Sequence, residues 1–265
     1  MERHIKLIGR YVMKKPVILL LLLPLLVLGG CTSVPTVIGV PQGRFDIPEA
    51  TGDHHGSMGV LYNDQEYGVV FTNDIANIAW DTTTPPIVTR NTKSGLIYQG
   101  LNIDLGYGLN ERFEIGFDSA RGLGVYGKYQ ILGKPRSEAE KGNFSLAVQL
   151  QLDRINQSEY MNFTSYDFSM VTSDVSILAG FRPTRQMLVY TSYFQGNGGY
   201  DGNVSGGSVP GSYSGNMKYE GYAVGLRFYF SDQAHLDLEA VDSKLTVGQS
   251  VGKNTFTGFR LGQDF

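Results

Sequence analysis

The sequence predicts an all-β chain: an up-and-down antiparallel transmembrane β-barrel of about ten strands, with eight or twelve as neighbouring solutions. Three observations carry that expectation. The 265 residues include 34 Gly, 16 Tyr and 14 Phe against one Trp, a mixture of turn formers and aromatics that suits strands, and no stretch after residue 31 repeats apolar residues at helical spacing. Successive segments alternate apolar and polar residues with a period of two, as a strand with two unlike faces does. The links between segments alternate between short and long, the asymmetry of membrane barrels with tight turns at one end and long loops at the other.

The first thirty residues read as a separate unit. A basic stretch leads into an apolar run from Pro16 to Gly30 that stops at Cys31, the single cysteine, in the order of a secretion signal. The run is about 15 residues long and broken by Pro24, short of the ~20 apolar residues of a spanning helix. Leu28-Gly29-Gly30-Cys31 resembles the bacterial lipobox. That resemblance implies cleavage between Gly30 and Cys31, a diacylglycerol on the Cys31 sulfur, and handling by the lipoprotein-sorting machinery. Thr32 and Ser33 follow, without the Asp that retains enterobacterial lipoproteins at the inner membrane, so the same resemblance implies the outer membrane. The other reading of Cys31 is a plain thiol beside a signal-anchor helix.

Removal of residues 1–30 takes five basic residues (Arg3, Lys6, Arg10, Lys14, Lys15) and one acidic (Glu2) from totals of 22 and 25, leaving 17 basic against 24 acidic. An acidic chain without a basic block has no electrostatic footprint for nucleic acid. With Cys31 lipidated no thiol remains for a disulfide or a metal, and no His/Cys spacing supports a metal site. No cofactor is expected beyond the covalent lipid.

Residues 31–56 carry prolines at 35, 41 and 48 and no periodicity, and read as a lipidated tether. The barrel domain is expected over 57–265. Residues 57–74 supply one bulged strand, or a strand plus an accessory piece. Further strands are expected near 95–107, 112–119, 122–132, 143–154, 173–182, 186–195, 216–230, 234–247 and 254–265. Their alternation is plain in Phe144, Leu146, Val148, Leu150 and Leu152 against Ser145, Ala147, Gln149, Gln151 and Asp153, and in Val224, Leu226 and Phe228 against Ala223, Gly225 and Arg227. The links at 108–112, 183–185 and 231–233 are short; 155–173 and 196–216 read as long polar loops. Residues 133–143, which fall on the short side, are longer than the rule requires.

A soluble sandwich would hide the apolar face and a membrane barrel would turn it to lipid. The polar face carries Gly100, Gly106, Gly116, Gly124, Gly180, Gly225 and Gly262 among Asp104, Glu114, Lys128, Arg182, Arg227, Glu239 and Arg260, the small residues and paired charges that a narrow lumen requires. The C-terminus NTFTGFRLGQDF places Phe259, Leu261 and Phe265 on one face and resembles the terminal strand of bacterial outer-membrane proteins, with Gln263 departing from the apolar pattern. In those families such a strand is read by the barrel-assembly machinery.

Chemistry is sparse. Asp53-His54-His55-Gly56-Ser57 is the one cluster of catalytic residue types, and His55-x-Ser57 matches formally a spacing used by outer-membrane phospholipases; the plainer reading is a solvated linker. Arg227, His235, Asp237, Glu239 and Arg260 share lumen-facing parity on adjacent strands and are a candidate ionic network, either a gate or a structural plug. The function expected is that of a non-enzymatic outer-membrane β-barrel lipoprotein, anchored through Cys31, that is structural, interactive or permeable to small solutes, with outer-membrane lipid as its surroundings. Two other readings are a lipid-tethered periplasmic barrel or sandwich holding a lipophilic ligand, and a barrel-embedded hydrolase.

Overall fold

The computed structural model describes residues 36–41, 44–63, 66–71, 87–91, 102–119, 122–161, 164–206 and 211–265. The signal segment, the lipobox with Cys31, and Gly100 lie outside them. Thirteen strands are described: β1 (Thr36–Pro41), β2 (Gly56–Asn63), β3 (Glu66–Phe71), β4 (Ile87–Asn91), β5 (Asn102–Gly108), β6 (Phe113–Asp118), β7 (Leu123–Leu132), β8 (Phe144–Met161), β9 (Thr164–Thr184), β10 (Met187–Gly206), β11 (Gly211–Tyr229), β12 (Ala234–Val247) and β13 (Ser250–Asp264). Strands β2 and β5 to β13 form a closed ten-strand antiparallel barrel, with β13 paired to β2 across the closure. Strands β1, β3 and β4 form a separate three-stranded sheet that lies against β13 and β12. Of the stretch 57–74, residues 57–63 are in a barrel strand and residues 66–71 form an accessory strand, the second of the two expected solutions.

At one end, called the near end, lie Gly56, Phe265 and the links 109–112, 133–143, 185–186 and 230–233. Local chemistry fixes these turns: the Asn110 side chain accepts the Arg112 and Phe113 N–H groups at 2.9 Å each, and Ser231 accepts that of Ala234 at 2.9 Å, both side-chain mimics of a backbone turn. The barrel closes on itself here, Gly56 and Phe265 exchanging backbone hydrogen bonds of 2.7 and 2.9 Å.

Towards the far end, the expected loops at 155–173 and 196–216 are corrected: most of these residues are strand. β9 has 21 residues and β10 has 20, whereas a tilted strand crosses a bilayer in about 9–11. The excess stands beyond the lipid-facing band. On β8 the outward residues Phe144, Leu150 and Leu152 are apolar and exposed, and Arg154, Asn156 and Ser158 beyond them are polar and exposed. The same change of sign occurs on β10 between Tyr193 and Gln195, on β11 between Tyr222 and Glu220, and on β12 between Ala240 and Asp242.

The inward face changes in the opposite sense. Its near half holds buried Glu114, Lys128, Gln149, Asp174, Arg182, Arg227, Asp237 and Arg260. Its far half is an apolar cluster that includes Ile155, Phe168, Met170, Phe194, Met217, Tyr219, Leu245 and Phe256. Each long strand of β8–β13 thus has an apolar outer and a polar inner face over its near half, and a polar outer and an apolar inner face beyond it, as a strand passing from lipid into water does. Aromatic pairs mark the change of solvent, Tyr193 with Tyr222 at 5.0 Å between ring centroids and Tyr62 with Phe259 at 5.6 Å, as in the girdles of membrane barrels.

Glycine supplies room for the lumen side chains. Tyr190, Phe194, Tyr200 and Tyr219 stand in register with Gly225, Gly221, Gly215 and Gly196 on the neighbouring strand. A Cβ at Gly225 would collide with Cζ of Tyr190, and one at Gly196 with Cζ of Tyr219. The outer end of each aromatic ring reaches over the glycine opposite it, which covers backbone and fills a narrow interior at once.

Candidate functional site

The lumen is occupied by the protein itself. Residues Arg44–Gly52, expected as part of a solvated tether, are all buried and run along the barrel interior. This corrects the tether for that stretch: the prolines and the missing periodicity reflect an irregular thread whose partners come from the barrel wall.

Bonds between the thread and the wall follow from its charges. The Arg44 guanidinium donates through Nη2 to Asp174 Oδ1 and Ser176 Oγ, both at 2.7 Å, and lies 3.8 Å from the centroid of the Phe194 ring. Asp46 accepts from Arg44 Nε at 3.1 Å and from Gln149 Nε2 at 2.8 Å. Glu49 is fully buried and meets Arg182, which donates through Nη2 at 2.5 Å and through Nε at 2.8 and 3.0 Å, while Asn143 donates to it at 2.9 Å. The thread's backbone is bound as well: Ala50 N–H donates to Gln130 Oε1 at 2.7 Å and Thr51 N–H to Glu114 Oε2 at 2.8 Å. Such pairing is required, because an unpartnered amide or charge in a closed lumen costs several kcal/mol.

The sequence-predicted network divides into parts. Asp237 joins two arginines, accepting from Arg227 at 2.6 and 2.8 Å and from Arg260 at 2.6 Å, and Arg260 continues to Asp104 at 2.6 Å. Glu239 instead holds the thread: its Oε1 accepts the successive N–H groups of Arg44 and Phe45 at 3.3 and 2.8 Å. Phe45 has a φ of 54°, a left-handed bend that turns neighbouring amides towards one anion. His235 stands 3.8 Å from Asp264. Phe259, Leu261 and Phe265 face outwards and are exposed, at the end of the strand that closes the barrel.

Sequence reasoning missed the thread and the link that covers its exit. Within the long near-end link, Arg136 and Ala139 are buried, Arg136 N–H donates to the carbonyl of Ala50 at 2.7 Å, and its guanidinium pairs with Asp264 at 2.6 Å. Burial works against the charge on Arg136, but Asp264 and Glu114 outweigh it and raise its pKa above the ordinary value. The extra length of residues 133–143 is therefore accounted for: the link folds over the near-end mouth.

Beneath it a vestibule of about 350 Å³ is lined by Arg136, Arg182, Arg185, Tyr229, Asp232 and Phe265. Farther in, the cavity bordered by Arg44, Phe45, Lys128, Arg227 and Arg260 is about 20 Å³, room for one water. His55 is exposed, and Ser57 is buried on the lumen side of β2. Among the described residues no group of His, Cys, Asp and Glu has a metal-binding arrangement.

No protein-family model matches the sequence, and no curated protein does. Solved structures that resemble it include the attachment invasion locus protein Ail of Yersinia pestis, 13% identical over 80% of this chain and 99% of that one with a TM-score of 0.36. Others are the N-terminal β-barrel domain of Pseudomonas aeruginosa OprF, 10% identical over 81% and 99% with a TM-score of 0.33, and the outer membrane protease OmpT of Escherichia coli, 9% identical over 89% and 95% with a TM-score of 0.36. At these values the likeness concerns barrel architecture alone, and no residue role passes from them to this chain.

Proposed function

We propose that the chain is an outer-membrane β-barrel lipoprotein with a structural or interactive role and no catalytic one, its lumen closed by its own residues Arg44–Gly52. The occupied lumen is the observation that carries this reading. A route for solutes would need the thread to withdraw from bonds to Asp174, Arg182, Glu114 and Glu239, so passage is the less favoured of the roles. The surface left for interaction is the far-end wall of β8–β13, polar outside and supported by an apolar interior.

Cleavage between Gly30 and Cys31, lipidation of Cys31, and recognition of Phe259, Leu261 and Phe265 during assembly belong to the same proposal, with outer-membrane lipid and the sorting and assembly machineries as partners. A hydrolase reading is disfavoured because His55 is exposed at the near-end vestibule while Ser57 is buried on the lumen side of β2. A water-soluble periplasmic barrel would leave Leu150, Val175, Ile177 and Phe259 in water, and its interior would have to offer a lipophilic ligand more than a polar cavity for one water.

Fractionation tests the proposal. Unboiled protein from outer membranes should migrate faster in SDS gels than boiled protein, carbonate should leave it in the membrane, and the Cys31→Ser form should keep both properties. Release of Cys31→Ser as a soluble monomer would rule out the integral barrel.

A further inference from the structure

The direction of the thread has a topological consequence. Gly56 is bonded to Phe265 at the near end, and β2 runs from there to Asn63, which pairs with Gly258 towards the far end. Only residues 64 and 65 separate Asn63 from Glu66, the first residue of β3, and Glu66 pairs with Pro41, the last residue of β1. Pro41 therefore lies by the far end of β2. Three residues later Arg44 is inside the barrel, bonded to Asp174 and Glu239, and by Thr51 and Gly52 the chain has reached Glu114 and the near-end mouth.

We infer that the polypeptide enters the lumen from the far end and leaves it at the near end, so that everything before Arg44 is held on the membrane face opposite the C-terminus. Given the outer-membrane reading above, that face is the cell surface, and the lipid of Cys31 belongs to the outer leaflet. Chain length agrees. With β1 fixed in its sheet, the stretch from Cys31 to Thr36 reaches at most about 18 Å, less than the roughly 25 Å apolar band of a membrane barrel. A return through the lumen is blocked by the thread itself. The bonds of Glu49 to Arg182 and of Arg44 to Asp174 thus act as a lock that keeps a lipidated N-terminal segment outside a barrel whose own C-terminus is inside.

Accessibility of introduced cysteines to a membrane-impermeant maleimide tests this in intact and permeabilised cells. Val37→Cys and Ile38→Cys, adjacent so that both faces of the strand are sampled, report the thread entry; Ser214→Cys reports the far-end wall and Gln233→Cys a near-end turn. The expected result is full labelling of positions 37 or 38 and 214 in intact cells, with position 233 labelled only after permeabilisation. Positions 37 and 38 following position 233 would overturn the threading. So would protection of both in permeabilised cells. If position 233 is the one labelled in intact cells, the membrane orientation is reversed, and the threading stands when 37 and 38 still follow 214. Equal labelling everywhere means that no membrane is crossed and sinks both readings. Labelling of the unsubstituted protein at Cys31 would remove the lipid and leave the threading intact.

Discussion

Glu49→Ala is the most direct test of whether the thread is bound as described. The substitution deletes a fully buried carboxylate and leaves the Arg182 guanidinium, itself buried, with the Tyr229 hydroxyl at 2.9 Å and the Arg185 carbonyl at 3.0 Å as its hydrogen-bond partners among the described residues. Removing one member of a buried pair costs about 3–5 kcal/mol, because the other charge stays desolvated. At about 2–4 °C per kcal/mol for a domain of this size, the unfolding midpoint should fall by roughly 6–20 °C. The assay is the temperature at which the fast-migrating form disappears on SDS gels, checked by loss of β signal in circular dichroism. The double variant Glu49→Ala/Arg182→Ala should lose less than the sum of the single losses, since neither charge is then stranded. A midpoint for Glu49→Ala within ~3 °C of the parent, about 1 kcal/mol on that scale, or strict additivity in the cycle, would refute a thread locked by this pair.

Three further perturbations probe the wall. Asp237→Asn should destabilise far more than Arg185→Ala in the same gel assay: Asp237 separates two buried guanidiniums, whereas Arg185 and Asp232 form an exposed pair worth under about 1 kcal/mol. Equal midpoints would show that Asp237 does not bridge the arginines. Gly225→Val forces a side chain into the Tyr190 ring and should cost about 1–3 kcal/mol, with partial recovery in the Gly225→Val/Tyr190→Ala variant; no recovery would separate the two positions. Leu150→Arg, at an outward position 63% exposed, should cost about 2–4 kcal/mol in a bilayer, while Asn156→Arg on the same strand should be close to neutral. Equal costs in refolding titrations into lipid vesicles would misplace the membrane boundary.

The near half of the barrel is legible in the sequence because each face of a strand there meets one solvent throughout. Phe144 to Asp153 alternate without a break, and the charges assigned to the polar face from Asp104 to Arg260 do point inwards. The far half reads as loop for a physical reason. Where a strand leaves the lipid its apolar side changes from outward to inward, so the period of two persists while its phase reverses. On β9 the reversal appears as Met170 beside Val171, two apolar neighbours facing opposite ways, and a window that spans it shows no pattern. The glycines of 196–216 add to the impression of a loop, although Gly196 and Gly215 are seats for Tyr219 and Tyr200. The thread leaves the weakest local trace. Arg44, Asp46 and Glu49 find Asp174, Gln149 and Arg182 more than a hundred residues away, so nothing nearby in the chain announces them; Phe45 and Ile47, apolar residues in a supposed solvated tether, are the available signal.

Thread and apolar cluster fill different parts of the interior, and this bears on what the barrel can do. Arg44 sits at their junction: Asp174, which binds its guanidinium, also accepts the Tyr219 hydroxyl at 2.9 Å, and Phe194 and Tyr219 both belong to the far-half cluster. Withdrawal of the thread would empty the polar half from the near-end mouth up to the point beside β2 where the thread enters. Beside that entry, Ile155, Phe168, Met217, Leu245 and Phe256 would stay packed on β8–β13, held by the apolar area they bury. Conduction would therefore need release of the thread's several charge-assisted bonds. A barrel that displays a tall wall beyond its apolar band needs the upper core to make that wall rigid and the thread to keep the polar half from standing empty.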